Sequence, residues 1–237
     1  MNTDYDQAVQ AFWGFRDAQT AKQIASGKID AGSRGAVTGG GHLGALTDLI
    51  AQQFLDAGFP PSSVMKKGRI RLPGFYRPTK DWDLVVLHQD ILVAAIEFKS
   101  QVGPSFGNNF NNRSEEAMGN AVDIWRAFEE GYFGEIRPWL GFLFILESDP
   151  KSTTPLGKIH ALMPHDPIFD QTSYADRYRV LFQRLARERL YDATCFITSP
   201  RGGGLDPESQ YDLSLANFAA AIQGRVAYIQ NVLNTRP

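Results

Sequence analysis

Three residues of this chain have the types and spacing for phosphodiester hydrolysis: Asp83, and Glu97 and Lys99 two positions apart. Glu97 and Lys99 close an apolar run, Ile91-Leu92-Val93-Ala94-Ala95-Ile96, whose lack of alternation predicts a strand buried on both faces. Residues two apart on a strand share a face, so Glu97 and Lys99 point one way while Ile96 and Phe98 point the other. Charged side chains at the end of so apolar a strand need partners. A second apolar run, Trp82 to His88, precedes it across Gln89-Asp90, which reads as a tight hairpin. With a plain two-residue loop Asp83 falls opposite Ile96. With a three-residue loop, or one bulge, it falls opposite Glu97 and shares its face.

Two carboxylates and an amine meeting at one point suit hydrolysis of a phosphodiester. Hard carboxylate oxygens hold Mg²⁺ with water and phosphate oxygens completing its shell, and the metal acidifies a bound water. Lys99 orients or deprotonates that water, or neutralises the phosphate. An ordinary lysine pKa of about 10.4 favours positioning over base catalysis. Taken alone, the three residues also fit an ordinary salt-bridged strand end, Glu97 paired with Lys99 or Lys80.

The segment after Lys99 tips the balance. Gln101, Asn108, Asn109, Asn111, Asn112 and Arg113 follow it closely. Asparagine and arginine pair donors and acceptors with base edges, and arginine also grips phosphate. Turn and cap chemistry would use one or two of the asparagines, not four. Between Lys66 and Lys80 stand six basic residues and no acid, among them Arg71, Arg77 and Lys80, a stretch able to meet phosphates. The net charge of -2 argues mildly the other way, since non-specific nucleic-acid binders are strongly basic.

The elements that must position these residues follow from periodicity. Helices are expected at Tyr5 to Ser26 (closed by Gly27), His42 to Asp56, Ser114 to Glu130, Ser173 to Leu190 and Asp212 to Val232. Strands are expected near Arg69 to Leu72, in the two hairpin runs, at Trp139 to Leu146 and at Ala193 to Thr198. A glycine-rich loop runs from Ala31 to Gly41, and a proline-bearing loop from Ser148 to Thr172. From residue 42 to 146 the order is helix, three strands, helix, strand. This predicts a mixed α/β (α+β) fold with a central mixed sheet flanked by helices. At 237 residues, with 43% hydrophobic and no linker or repeat, one domain is expected.

Other chemistries find no support. The four histidines have no ligand spacing with each other or with Cys195, the one cysteine, which sits in an apolar run as a core residue would. There is no Ser-His-Asp or P-loop pattern. The acidic N-terminus does not read as a signal peptide and no apolar run spans a membrane, so no membrane partner and a cytoplasmic location are expected.

The runs Leu72-Pro73-Gly74-Phe75-Tyr76-Arg77-Pro78-Thr79-Lys80, Trp82-Asp83 and Val93 through Arg113 resemble the XhoI family of type II restriction endonucleases. Weaker similarity extends through Ser173 to Tyr178 and Ala193 to Ser199. The resemblance implies a single restriction-endonuclease domain over 1–237, with a PD-(D/E)xK nuclease core at about 42–146. It implies Mg²⁺ dependence, double-stranded DNA as substrate, a homodimer, and a palindromic target, CTCGAG, cut after the first C to leave a 5′ overhang. It also implies a cognate methyltransferase that protects the same site. On the family motif Asp83, Glu97 and Lys99 take the metal and lysine positions, with Trp82 where the motif's name has proline. Many superfamily members add a carboxylate from the first core helix, for which Asp48 is the available residue. Two alternatives remain on the same residues: a repair or resolving nuclease that reads DNA shape, and a DNA-binding protein that has lost catalysis.

Overall fold

The computed structural model describes residues 2–25, 41–66, 68, 70–207 and 211–235. The glycine-rich loop from Ala31 to Gly40, the helix stop at Gly27, and Lys67 and Arg69 of the basic stretch lie outside them. Six helices are described: α1 (Asn2–Ala25), α2 (Gly44–Asp56), α3 (Phe106–Glu129), the short α4 (Pro150–Thr153), α5 (Tyr174–Arg187) and α6 (Leu215–Thr235). Seven strands accompany them: β1 (Val64–Met65), β2 (Arg71–Pro73), β3 (Thr79–Asp81), β4 (Leu84–His88), β5 (Ile91–Gln101), β6 (Trp139–Glu147) and β7 (Ala193–Ser199).

Five strands form one sheet in the order β1-β4-β5-β6-β7. The first three pair antiparallel and β5, β6 and β7 pair parallel, so the sheet is mixed. Its two faces carry separate cores. Phe12, Trp13, Leu46, Ile50, Phe54, Phe218 and Ile222 place α1, α2 and α6 against one face. Ala117, Ala121, Ile124, Tyr178 and Phe182 place α3 and α5 against the other. Helices cover both faces of the middle strands, which explains why β5 and β6 read as unbroken apolar runs. This is the mixed α/β architecture expected from the sequence.

The strand order within the core is also as expected, but one strand is not where the pattern put it. Of the basic-apolar alternation at Arg69 to Leu72, the described residues Arg71 and Leu72 belong to β2, which pairs only with β3 in a separate two-stranded ribbon. The first core strand is instead Val64–Met65, paired with β4. Two residues are too short to show a period, so the longer alternating run drew the assignment.

The hairpin combines two devices that the sequence left as alternatives. Gln89 and Asp90 form a two-residue turn with φ of 47° and 61°, the left-handed pair that a tight hairpin needs. His88 pairs with Ile91 and Leu87 with Leu92, but then Val86 pairs with Ala94, so the register slips by one residue at Val93. Above the bulge, Val93 and Ala94 both face the α1/α2/α6 core, and alternation resumes with Ala95 on the α3/α5 side and Ile96 on the other. A bulge of one residue inverts the facing of everything beyond it. Leu84 pairs with Ile96, so one further step along the ladder sets Asp83 against Glu97.

Helix α3 begins eight residues earlier than its expected start at Ser114. Gly107 and the four asparagines are weak helix formers in isolation. Burial overrides them: Phe106 is enclosed against Tyr174, and Phe110 packs edge-on to Tyr178.

Candidate active site

Asp83, Glu97 and Lys99 are brought together by the hairpin. Asp83 stands just before β4, and its Oδ2 accepts a hydrogen bond of 2.8 Å from the Phe98 backbone N–H. The aspartate is therefore locked to the strand that carries its neighbours. Glu97 is buried, and its two oxygens are divided between two lysines. Oε2 accepts from Lys80 Nζ at 2.7 Å and Oε1 accepts from Lys99 Nζ. Lys99 also lies 3.5 Å from Glu116 Oε1 on α3. Glu116 in turn accepts from Arg113 one turn earlier.

The charges shape one another. Burial pushes the Asp83 carboxyl above its usual range, and the adjacent Glu97 carboxylate adds to the rise. Burial would push Glu97 up too, but Lys99 and Lys80 outweigh it and hold Glu97 below its ordinary value. Burial works against the charge of Lys99, yet Glu97, Asp83 and Glu116 hold its ammonium protonated past its usual pKa.

Asp83 and Lys99 open onto a cleft of about 840 Å³ lined also by Phe98, Ser100, Arg113, His42, Asp48 and Lys66, with Glu97 buried behind them. Asp48 is exposed on α2 and bonded to Lys66 at 2.6 Å. It faces the same cleft but stands apart from the other carboxylates: among the described residues, no three of His, Cys, Asp or Glu gather closely enough to hold a metal ion together. His42 also lines the cleft, although no motif or spacing around it marks it as a site residue. Its Nε2 is 3.1 Å from Ser100 Oγ, and its buried Nδ1 has no partner among the described residues. Burial, with Arg16 and Lys99 nearby, pushes its pKa down to about 4.

The expected DNA contacts divide into several groups. Asn108, Asn111 and Asn112 are exposed along the first turns of α3. Asn109 is partly turned inward and donates to the Ser105 carbonyl at 2.6 Å, a local helix-start bond. Arg113 reaches the cleft. Gln101 does not reach a DNA-facing surface: it is 3% exposed, donates to the Ser105 and Phe106 carbonyls, and accepts from the Tyr178 hydroxyl. Its position at the end of a buried strand turns the amide inward, which corrects the reading of Gln101 as a base contact. Lys80 belongs to the carboxylate cluster, with its ammonium also 4.2 Å from the centre of the Trp82 ring. Arg77 is bound to α3 by 2.8 Å to Asp123 and 2.7 Å to Asn120, where it fixes the Phe75–Arg77 loop. Arg71 is exposed and paired with Asp81 at 3.2 Å.

Besides His42, two further residues lie outside the sequence reading. Glu116 is helical and acidic among other helical acids, and only the start of α3 at Phe106 brings it over Lys99. Asp123 is buried and accepts from the Phe75 and Tyr76 backbone amides as well as from Arg77. A mid-helix aspartate with no local partner was the available signal.

The donor set suits a hard divalent cation. Asp83 and Glu97 offer carboxylate oxygens from one face, and the pKa of Asp83, raised first by burial and then by the neighbouring Glu97 carboxylate, marks a place where a cation would stabilise the charged form. Glu97 holds two ammonium groups, and a metal ion bound there would have to displace one of them.

The family model described as restriction endonuclease XhoI matches residues 22–210. The chain is 41% identical to the type II restriction enzyme BstVI of Geobacillus stearothermophilus, over 86% of this chain and 94% of that one. It is 40% identical to the type II restriction enzyme XhoI of Xanthomonas vasicola, over 77% and 75%. With the type II restriction enzyme AbrI of Azospirillum brasilense it shares 47% identity over 62% and 66%. No solved structure matches. Among the described residues, no helix is long and apolar enough to cross a membrane. With the family model covering most of the chain, this protein belongs to the XhoI family of restriction endonucleases, site-specific deoxyribonucleases that act on double-stranded DNA.

Proposed function

We propose that the chain cuts CTCGAG after the first C on each strand, leaving 5′ overhangs, with Asp83, Glu97 and Lys99 as its catalytic residues. The observation that carries the catalytic assignment is the bulge at Val93, which turns Asp83 onto the face of the buried Glu97 and of Lys99, with Asp83 and Lys99 lining an open cleft. The target rests on the resemblance of the Leu72–Lys80 and Val93–Arg113 segments to the family.

Asp83 and Glu97 would hold Mg²⁺, which when bound supplies Lewis acidity toward a phosphate oxygen and an acidified water. The protein's own groups do the rest. The Phe98 amide fixes the aspartate's orientation. Lys80 keeps Glu97 ionised in its buried setting. Lys99 would bring a positive charge and donors to the reacting phosphate and the attacking water. In-line attack of that water on phosphorus breaks the bond to the 3′-oxygen, which leaves and takes up a proton, so the ends carry 5′-phosphate and 3′-hydroxyl. Asn108, Asn111, Asn112 and Arg113 present amides and a guanidinium for base edges and phosphates. A palindromic target matches a twofold homodimer. A methyltransferase of the same specificity is the cellular partner, and the cytoplasm the place of action.

The test is digestion of a plasmid of known sequence with Mg²⁺, followed by sequencing of the ends. Ends at C^TCGAG alone support the proposal. Cuts at another sequence, or preference for branched over linear duplex, refute the assigned target.

A further inference from the structure

We propose that Glu116 is a positioning residue that links the DNA-facing side of α3 to Lys99. The inference rests on the catalytic assignment above and goes beyond it. Arg113 and Glu116 stand one helical turn apart, so their side chains meet on one face. One carboxylate oxygen of Glu116 takes Arg113 Nη1 and the other lies 3.5 Å from Lys99 Nζ. All three side chains are partly exposed, with 24%, 36% and 21% of the surface of Arg113, Glu116 and Lys99 open, and Arg113 and Lys99 line the cleft. A single negative charge is thus shared between a cation of the candidate catalytic centre and a cation of the segment suited to base edges.

The sharing has a consequence. When Arg113 turns to a phosphate or a base edge, it leaves Glu116, and the whole carboxylate charge falls to Lys99. Lys99 needs that second anchor, because its other one, Glu97, is also a candidate metal ligand and would then be drawn toward the cation. Glu116 already lies beside Lys99 while Arg113 is bound to it, and it holds Lys99 with its full charge once Arg113 is occupied, so the correct DNA sequence sharpens the centre and an incorrect one does not.

A double-mutant cycle tests this. Single-turnover cleavage of a duplex carrying the mapped site is measured in Mg²⁺ for the parent, Glu116→Gln, Arg113→Ala and the double variant. The dissociation constant of the same duplex is measured in Ca²⁺. Glu116→Gln keeps shape and hydrogen bonding but removes the charge. It is expected to slow cleavage about tenfold to a hundredfold, the scale of a small misplacement of a reacting group, with the Ca²⁺ dissociation constant unchanged. Arg113→Ala removes a DNA contact and is expected to slow cleavage as well, but the loss in the double variant should fall short of the product of the two single losses, because the two residues act through one contact. The ratio of rates on the correct site and on a site with one base pair changed should narrow in Glu116→Gln. Cleavage by Glu116→Gln at the parent rate, or rate losses that multiply in the double variant, would overturn the proposal. Glu97→Ala separates the two readings. If it still cuts, the catalytic assignment fails; if it is inert while Glu116→Gln cuts like the parent, only the role of Glu116 falls.

Discussion

Lys80 Nζ lies 2.7 Å from Glu97 Oε2, so the buried carboxylate is held by a lysine from the β2–β3 ribbon as well as by Lys99 from its own strand. Removing one partner of a buried ion pair leaves an uncompensated charge. Because Lys99 remains, Lys80→Met should cost about 2 kcal/mol of stability, below the full cost of stranding a buried charge. Denaturant melts measure this. Ca²⁺ should recover part of the loss in the variant, because a cation can take the vacated oxygen.

Stability should fall below pH 6.5 because of His42. Its folded pKa is pushed down to about 4 while its ordinary value is 6.5. Between those values the unfolded chain binds a proton that the folded chain does not, so unfolding gains as pH drops. The contribution is complete above pH 6.5 and is lost progressively toward pH 4, by about 3 kcal/mol in all. His42→Gln should flatten that part of the stability-pH curve, measured by urea melts from pH 7 to pH 4.5. A slope unchanged by the substitution would show that another group is responsible.

Gln101 should behave as a core residue. Its amide bonds to two backbone carbonyls and to the Tyr178 hydroxyl, tying the end of β5 to the start of α3 and to α5. Gln101→Ala leaves these partners unpaired and opens a small void, at a cost of about 2–4 kcal/mol. Thermal melts should register that loss, while the bases preferred in a cleavage assay stay the same.

Asn108, Asn111 and Asn112 should behave in the opposite way. They are exposed on α3, so alanine there changes stability by under about 0.5 kcal/mol. If an asparagine reads a base edge, its loss costs about 1–3 kcal/mol of discrimination at one base pair. Binding in Ca²⁺ to duplexes changed at each position in turn would show which base pair each asparagine reads.

The sequence carried the fold well where side-chain chemistry was dense. The buried strands β5, β6 and β7, helix α2 and the turn at Gln89-Asp90 were all readable from apolar runs and breaks. Facing was not. Every residue from Ile91 to Ile96 is apolar, so nothing in their types marks Val93 as the bulge, yet the bulge decides whether Asp83 meets Glu97 or Ile96. The start of α3 was hidden because Gly107 and the asparagines argue against helix, and only the packing of Phe106 and Phe110 on α5 reverses that. Gln101 looked like a polar residue beside a site, and it is polar for an internal reason. Lys80 could be paired with Glu97 on paper, but its place in the cluster depends on the β2–β3 ribbon, whose first strand looked like part of the main sheet.

The central claim is that Asp83, Glu97 and Lys99 do the cutting. The most direct test is single-turnover cleavage of supercoiled plasmid in Mg²⁺ by Asp83→Asn, Glu97→Gln and Lys99→Ala, each shown to be folded and to bind the duplex in Ca²⁺. Each should cut slower than the parent by about a thousandfold or more, since each removes a group from the reacting centre. A folded Glu97→Gln that cuts at the parent rate would contradict the account.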